Sequence, residues 1–211
     1  MIFTNFRRRK QPIPFEGDRF KTAHKWDFAQ DPQFAAAFDH ALQYQPAKIR
    51  KSQYGCIWRA HICCWAAQQA LSRVGDFVEC GVRYGLFSRT IARYTTVTQD
   101  PSRRFFLIDK EFPATDWWPG AVPIEGAVPG ILSQVNPSKV VYLSIDMNEA
   151  EPELAALEYF YPKMVPGGVI VLDDYGWQAH AKQKAAHDAF FQSKPETILC
   201  LPTGQGIVIK Q

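Results

Sequence analysis

The sequence has few of the features that mark membrane, secreted or nucleic-acid-binding proteins. No apolar run approaches the ~20 residues that a membrane helix needs, and the N-terminus lacks the apolar core of a signal peptide. The formal net charge of the 211-residue chain is only +3, too weak to indicate a nucleic-acid partner. The basic run at residues 7–10 fits a solvated arm, with a phosphate or membrane contact as the alternative. We therefore expect a cytoplasmic protein with no membrane or nucleic-acid partner.

Cysteine is also scarce and unpatterned. The five cysteines are an odd number, and none shows the paired spacing of a zinc site. Cys63 and Cys64 are adjacent and cannot easily bridge each other. Reduced, mostly buried thiols in an intracellular protein fit this pattern best.

The sequence also lacks the tight Gly-x-Gly-x-x-Gly fingerprint of dinucleotide-binding proteins. Its first strand-to-helix junction instead spaces Gly81 and Gly85 as Gly-x-x-x-Gly. Glycines there let the chain reverse sharply and let the backbone approach a ligand, although a turn with unusual dihedral angles explains them equally well. An NAD-dependent dehydrogenase is therefore the weakest interpretation.

The hydrophobic pattern predicts a mostly parallel α/β fold from residue 75 onward. The predicted strands are 77–82, 104–108, 122–124, 140–145 and 167–172, and a closing hairpin pairs 197–201 with 207–210. The predicted helices are one from Asp31, then 56–73, 87–94, 151–161 and 179–192, the last with Ala181, Ala185, Ala189 and Phe190 inward. We expect residues 75–211 to form the core and residues 1–74 an arm and helical cap on it, with residues 1–30 irregular.

Acidic side chains end the predicted strands: Glu79, Asp109, Asp146, Asp173 and Asp174. Parallel strands share one carboxyl edge, and ligands of open α/β sheets bind there. An acidic edge would repel a diphosphate and favour a cation, so it favours S-adenosylmethionine, with its sulfonium, over NAD. Asp109 is placed to accept ribose hydroxyls, although an acid at the start of a loop is common.

Three of these acids form a predicted metal site. Asp146, Asp173 and Asp174 come from neighbouring strand ends, and hard carboxylate oxygens suit Mg²⁺ or a similar ion. The alternative is that they cap a helix and accept backbone N–H bonds. His180 follows the second strand end and is a candidate proton acceptor, whereas His187 reads as a helix-surface residue.

Other conspicuous side chains favour packing. His61 lies among apolar residues of a predicted helix, which favours a core histidine. Four aromatic residues of the loops either wall a pocket or pack the loops: Trp117, Trp118, Tyr175 and Trp177.

These motifs resemble the class I S-adenosylmethionine-dependent methyltransferases, and most of all the macrocin-type (TylF-like) O-methyltransferases. The matching stretches are residues 75–82, 143–146, 161–177 and 201–206. The resemblance implies a seven-stranded Rossmann-like sheet with an antiparallel last strand and helices on both faces. It also implies an enzyme that binds S-adenosylmethionine.

The resemblance assigns roles to individual residues. It implies that Glu79, Gly81 and Gly85 lie beside the methionine part of the cofactor, with Cys80, Tyr84 and Ser88 as further candidates from the same segment. Asp109 would hold the ribose, and Glu125 and Gly126 would lie near the adenine. In sugar-methylating members, the acids matching Asp146, Asp173 and Asp174 hold a divalent metal. Asp146 is also a candidate general base.

Two departures from the family pattern stand out. Asn148 occupies a place where the family often has a second acid, and residues 110–113 replace an aromatic–acidic–glycine turn. The leading hypothesis is metal-assisted O-methylation of a small-molecule hydroxyl on a sugar or glycosylated metabolite, with a homodimer as a possible assembly. The alternatives are metal-independent transfer to another nucleophile and a non-catalytic cofactor-binding protein.

Overall fold

The structure is a computed structural model that describes residues 15–113 and 116–211. Its strands are β1 (Phe15–Gly17), β2 (Phe20–Thr22), β3 (Asp76–Cys80), β4 (Phe105–Asp109), β5 (Ala121–Glu125), β6 (Val140–Ile145), β7 (Met164–Leu172), β8 (Leu199–Cys200) and β9 (Gly206–Ile209). Its helices are α1 (Pro32–Gln43), α2 (Ala47–Tyr54), α3 (Ile57–Ala70), α4 (Leu86–Tyr94), α5 (Ala150–Phe160) and α6 (Ala181–Phe191). A 3₁₀ turn, Leu132–Gln134, lies before β6.

Seven strands form one sheet in the order β5-β4-β3-β6-β7-β9-β8. The strands from β5 to β7 are parallel, whereas β9 runs antiparallel to both β7 and β8. Every residue of β3 and β6 is buried, because helices cover both faces of the sheet. This is the predicted mostly parallel sheet with its antiparallel hairpin.

Alternate residues of the central strands point into two separate cores. Phe77 and Tyr142 pack into a core shared with α1, α3 and α4. Val78 and Leu143 pack on the opposite face with residues of α5 and α6. The first core therefore joins the N-terminal helices to the sheet.

The N-terminal segment is more regular than its sequence indicates. Asp31 caps α1 as predicted, since its Oδ1 accepts the N–H of Phe34 at 2.7 Å. The expectation of an irregular segment up to residue 30 is wrong for β1 and β2, which form an antiparallel hairpin. Its turn places Asp18 and Arg19 at positive φ angles of 51° and 56°. Residues 1–14, with the basic run, lie outside the described residues.

Helix α6 turns a different face inward from the one predicted. Its buried residues are Gln183, His187 and Phe191, which follow one another at four-residue spacing. The predicted inward residues are wrong: Ala181, Ala185 and Ala189 are exposed, and Phe190 is half-buried. The surface assignment of His187 is wrong as well. The two polar inward residues each lie beside another polar side chain: Gln183 beside His180, and His187 beside Glu153.

None of the described helices combines the length and apolar character that crossing a lipid bilayer requires.

Candidate active site

A cleft of about 950 Å³ opens at the carboxyl edge of the sheet. Four of the predicted acids line it: Glu79, Asp109, Asp146 and Asp174. The segment before residue 75 supplies the facing wall, with Asp18, Arg19, Gln45, Gln53, Cys56 and Arg59. The sheet and the cap therefore build one shared site.

The turn between β3 and α4 forms the floor of this cleft. Gly81 has a φ of +90° and lies so close to the chain after β6 that a Cβ would clash with the backbone carbonyl of Asp146. Its own N–H donates to the carbonyl of Ile108 at 2.8 Å. Glycine at this position therefore lets three strand ends approach one another closely, which is what brings their acids together.

Glu79 is the most deeply buried acid of the cleft. Its side chain is 2% exposed, and its Oε2 has no hydrogen-bond partner among the described residues. Burial raises the pKa of Glu79 well above the ordinary value. The buried Oγ of Ser88, in the first turn of α4, lies beside this carboxyl and offsets part of that rise in pKa. An orphaned carboxylate lining a cleft fits the positively charged ammonium end of S-adenosylmethionine.

The remaining predicted cofactor residues are divided between the cleft and its support. Gly81, Tyr84, Asp109 and Gly126 line the cleft with Glu79. Asp109 already accepts the N–H of Arg83 through Oδ2 at 2.6 Å. Four predicted residues lie outside the lining: Cys80, Gly85 and Ser88 behind the turn, and the exposed Glu125, which accepts the N–H of Phe112 at 3.2 Å.

The three predicted metal-binding acids converge. Each of Asp146, Asp173 and Asp174 offers a carboxylate oxygen within 4.8 Å of the other two. Burial, reinforced by the neighbouring carboxylates, raises the pKa of Asp146 well above its ordinary value and that of Asp174 to about 6. The group thus carries more negative charge than its surroundings neutralise, and its donor set fits a hard divalent cation such as Mg²⁺.

Arg59 of α3 contacts this carboxylate group directly. Its Nη1 donates to Asp173 Oδ2 and lies 3.8 Å from Asp174 Oδ1. Its Nε lies 2.6 Å from Asp18 Oδ2 in the β1–β2 turn. Sequence reasoning missed Arg59. The available signal was its position, because it lies three residues after Cys56 and four before Cys63 and therefore shares a helix face with them.

His180 lies at the outer side of the same group. Its Nε2 is 3.8 Å from Asp174 Oδ2, and its Nδ1 is 2.7 Å from the Nε2 of Gln183. Trp177 lines the cleft beside His180. The ring of Trp117 lies 4.1 Å from the guanidinium carbon of Arg89 and packs against Gly85. The other aromatic candidates pack: Trp118 against Phe105, Tyr175 in the core, and His61 on Phe28.

A second buried group supports the chain that follows Asp146. Oε1 of Glu153 accepts the N–H groups of Met147 at 3.1 Å and Asn148 at 2.9 Å. Its Oε2 lies 3.1 Å from Nε2 of His187, and both side chains are buried. Sequence reasoning missed this pair, because Glu153 reads as an ordinary acid in the first turn of α5 and α6 has little amphipathic character.

Comparison with known proteins agrees with this geometry. The methyltransferase domain family matches residues 78–175. No curated protein matches the chain by sequence. Among solved structures, the O-methyltransferase NovP has a TM-score of 0.62 at 16% identity. The alignment covers 74% of this chain and 80% of the NovP chain.

Two further solved structures have the same fold. CalS11, a TDP-rhamnose 3'-O-methyltransferase of calicheamicin biosynthesis, has a TM-score of 0.61 at 17% identity over 85% of this chain and 94% of its own. MycE, from the mycinamycin biosynthetic pathway and solved with Mg and SAH, has a TM-score of 0.56 at 12% identity over 85% of this chain and 54% of its own.

The fold and the domain match at residues 78–175 together support a class I methyltransferase. The chain is an enzyme of the class that takes its methyl group from S-adenosylmethionine. The hypothesis of a non-catalytic binding protein is therefore set aside.

Proposed function

We propose that this enzyme methylates a hydroxyl group of a small molecule, a sugar or glycosylated metabolite, with the help of a divalent metal ion. The observation that carries the proposal is the convergence of Asp146, Asp173 and Asp174 beside the glycine turn of the cofactor cleft. Three carboxylates with the single charge of Arg59 beside them still repel one another, so their convergence is costly unless a further cation binds them.

The cofactor end of the reaction rests on the β3–α4 turn. S-adenosylmethionine supplies a methyl group already activated by its sulfonium. Glu79 would hold the ammonium group, and Asp109 would accept a ribose hydroxyl after giving up part of its hold on Arg83. These residues would fix the donor and exclude water, so that the acceptor oxygen, the methyl carbon and the sulfur are aligned. Much of the rate would arise from that alignment.

The acceptor end rests on the three acids. Asp146, Asp173 and Asp174 would hold the ion, which when bound lowers the pKa of an acceptor hydroxyl. Asn148 stands where relatives often carry a second acid, and its Nδ2 lies 3.3 Å from Asp146 Oδ1. An amide cannot accept the proton, so Asp146 and His180 are the candidates for the general base.

The nature of the acceptor is suggested by the cleft wall and by the structural neighbours. Gln45, Gln53 and Trp177 line the cleft, a mixture of amides and an aromatic face that suits a hydroxyl-rich ligand. CalS11 is described as a sugar-nucleotide O-methyltransferase, and it shares the fold over most of both chains. We therefore expect the acceptor among glycosylated small molecules.

The test is Asp146→Asn, with Glu149→Gln as the matched control, since Glu149 is an exposed acid on the same loop. Methyl transfer from labelled S-adenosylmethionine to a sugar acceptor panel should fall by about 100-fold or more in Asp146→Asn. Calorimetry should show that the demethylated cofactor still binds within about threefold of wild type. Undiminished transfer by Asp146→Asn would remove the proposed role of the acids.

A second candidate is methyl transfer without metal. It is favoured by one observation: Arg59 already pairs with Asp173, so part of the negative charge has a counterion within the chain. Full activity after dialysis against a strong chelator, with no gain on adding Mg²⁺, would select this alternative.

A further inference from the structure

Arg59 is held from several sides at the centre of the site. Its side chain is 14% exposed and contacts Asp173, Asp18 and the Sγ of Cys56, the last at 3.4 Å from Nη2. The rings of Phe87 and Trp177 lie 5.7 and 5.6 Å from its guanidinium carbon. Such a side chain is an ordered part of the site and not a mobile surface arginine.

The contacts of Asp173 leave it no free oxygen. Oδ2 accepts from Arg59, and Oδ1 accepts from Nε2 of Gln205 at 2.9 Å. A divalent ion that used all three acids would have to share or displace the contact of Gln205 or that of Arg59, and only the Arg59 contact brings a positive charge beside the ion. Arg59 and the ion would then stand as neighbouring positive charges in a largely buried place.

We propose that Arg59 is a built-in competitor of the metal ion: it neutralises Asp173 while no metal is bound and gives up that contact when one enters. This inference rests on the proposed metal-assisted function and specifies how the same site is regulated. One guanidinium faces three carboxylates, so Arg59 balances only part of their charge and the site keeps its attraction for a divalent cation.

The competition also links metal binding to the cap. The other arm of Arg59 pairs with Asp18 in the β1–β2 turn, and both residues precede the matched methyltransferase domain at residues 78–175. An ion entering the acids would therefore rearrange a contact that holds the hairpin over the cleft. Metal affinity becomes a property of the cap as well as of the sheet edge.

The first experiment measures Mn²⁺ affinity by electron paramagnetic resonance on the full chain. Arg59→Met removes the competing charge, and Arg93→Met is the matched control, because Arg93 is an exposed arginine on α4 away from the cleft. Arg59→Met should bind Mn²⁺ at least about tenfold more tightly. The repulsion between two unit charges a few ångströms apart at ε ≈ 20 corresponds to more than a tenfold change in affinity, and this variant removes that repulsion. Arg93→Met should match wild type.

The second experiment measures the wild-type chain, and a variant, Arg59→Lys, serves only to assign the resonance. ¹⁵N spectra of arginine-labelled protein report each buried guanidinium, and the Arg59 resonance is identified by its loss in Arg59→Lys. Adding Mg²⁺ should shift that resonance, while the resonance of Arg103, which is buried against Phe77, should stay in place.

The outcomes distinguish failure of the competition from failure of the metal-assisted function. Tighter binding by Arg59→Met together with a shifted Arg59 resonance supports the competition. Equal binding by wild type and Arg59→Met, or a still Arg59 resonance while Mg²⁺ binds, overturns the competition and leaves the proposed metal site standing. Absence of metal binding in every form, with methyl transfer intact, overturns the metal-assisted function and the competition with it.

Discussion

Glu153 offers the sharpest test of how the site is supported. Its carboxylate accepts the N–H groups of both Met147 and Asn148, directly after Asp146, and pairs with His187. Replacing Glu153 with alanine leaves two N–H donors without an acceptor and removes the carboxylate beside His187. Hydrogen bonds to a charged acceptor contribute about 1.5–3 kcal/mol each, so Glu153→Ala should cost roughly 3–5 kcal/mol of unfolding free energy. That is a large part of the 5–15 kcal/mol typical of a domain.

Glu153→Gln separates the hydrogen bonds from the charge. The amide oxygen can still accept both backbone N–H groups, so this variant should cost only about 1–2 kcal/mol. Glu158→Ala, an exposed acid on the same helix, is the matched control and should lie within about 0.5 kcal/mol of wild type. Urea unfolding at neutral pH measures all three. Equal, small losses for Glu153→Ala and Glu153→Gln would refute the supporting role assigned to Glu153.

Two further predictions concern the cofactor turn and the chain end. Gly81→Ala should weaken binding of the demethylated cofactor at least about tenfold, because the new Cβ meets the carbonyl of Asp146 at a φ of +90°. Gly130→Ala should leave calorimetric affinity unchanged, because its Cβ meets only the carbonyl of Ala127, at an ordinary contact distance of 3.5 Å. Burial opposes ionisation of Glu196, but bonds from Lys210, Tyr161 and the N–H of Gln211 lower its pKa from 4.5 to about 2. Its stabilisation is therefore full above pH 4.5 and lost as the pH falls toward 2. After allowance for solvent screening this is on the order of 2 kcal/mol in acid unfolding curves, and Glu196→Gln should lose that pH dependence.

The sequence predicts the sheet and its acidic edge well, because both follow from local signals. Strands β3, β6 and β7 are apolar runs, and each ends at or beside a carboxylate. Once those strands are taken as parallel, topology alone brings Asp146, Asp173 and Asp174 to one edge. The glycine turn and the cap of α1 at Asp31 carry equally local signatures.

What the sequence does not predict depends on contacts between distant residues. Helix α2 has no buried residue, so it shows no apolar periodicity. The pairing of Arg59 with Asp173 joins positions 114 residues apart. His187 reads as a surface residue until Glu153 is placed beside it. In the last two cases the charged neighbour lies far away along the sequence, so only the tertiary structure supplies it.

The division of the cleft between the sheet edge and the cap has an evolutionary consequence. The residues proposed to hold the methyl donor lie after residue 75, whereas Asp18, Arg19, Gln45 and Gln53 present the opposing wall from an earlier, separate stretch. Under the proposed function, substitutions at Arg19, Gln45 or Gln53 would change the wall that meets the acceptor and leave in place the strand ends proposed to hold the methyl donor. Asp18 is the exception, because its contact with Arg59 connects that wall to the acids. The acceptor of such an enzyme can therefore change through the early part of the chain while the reaction stays the same.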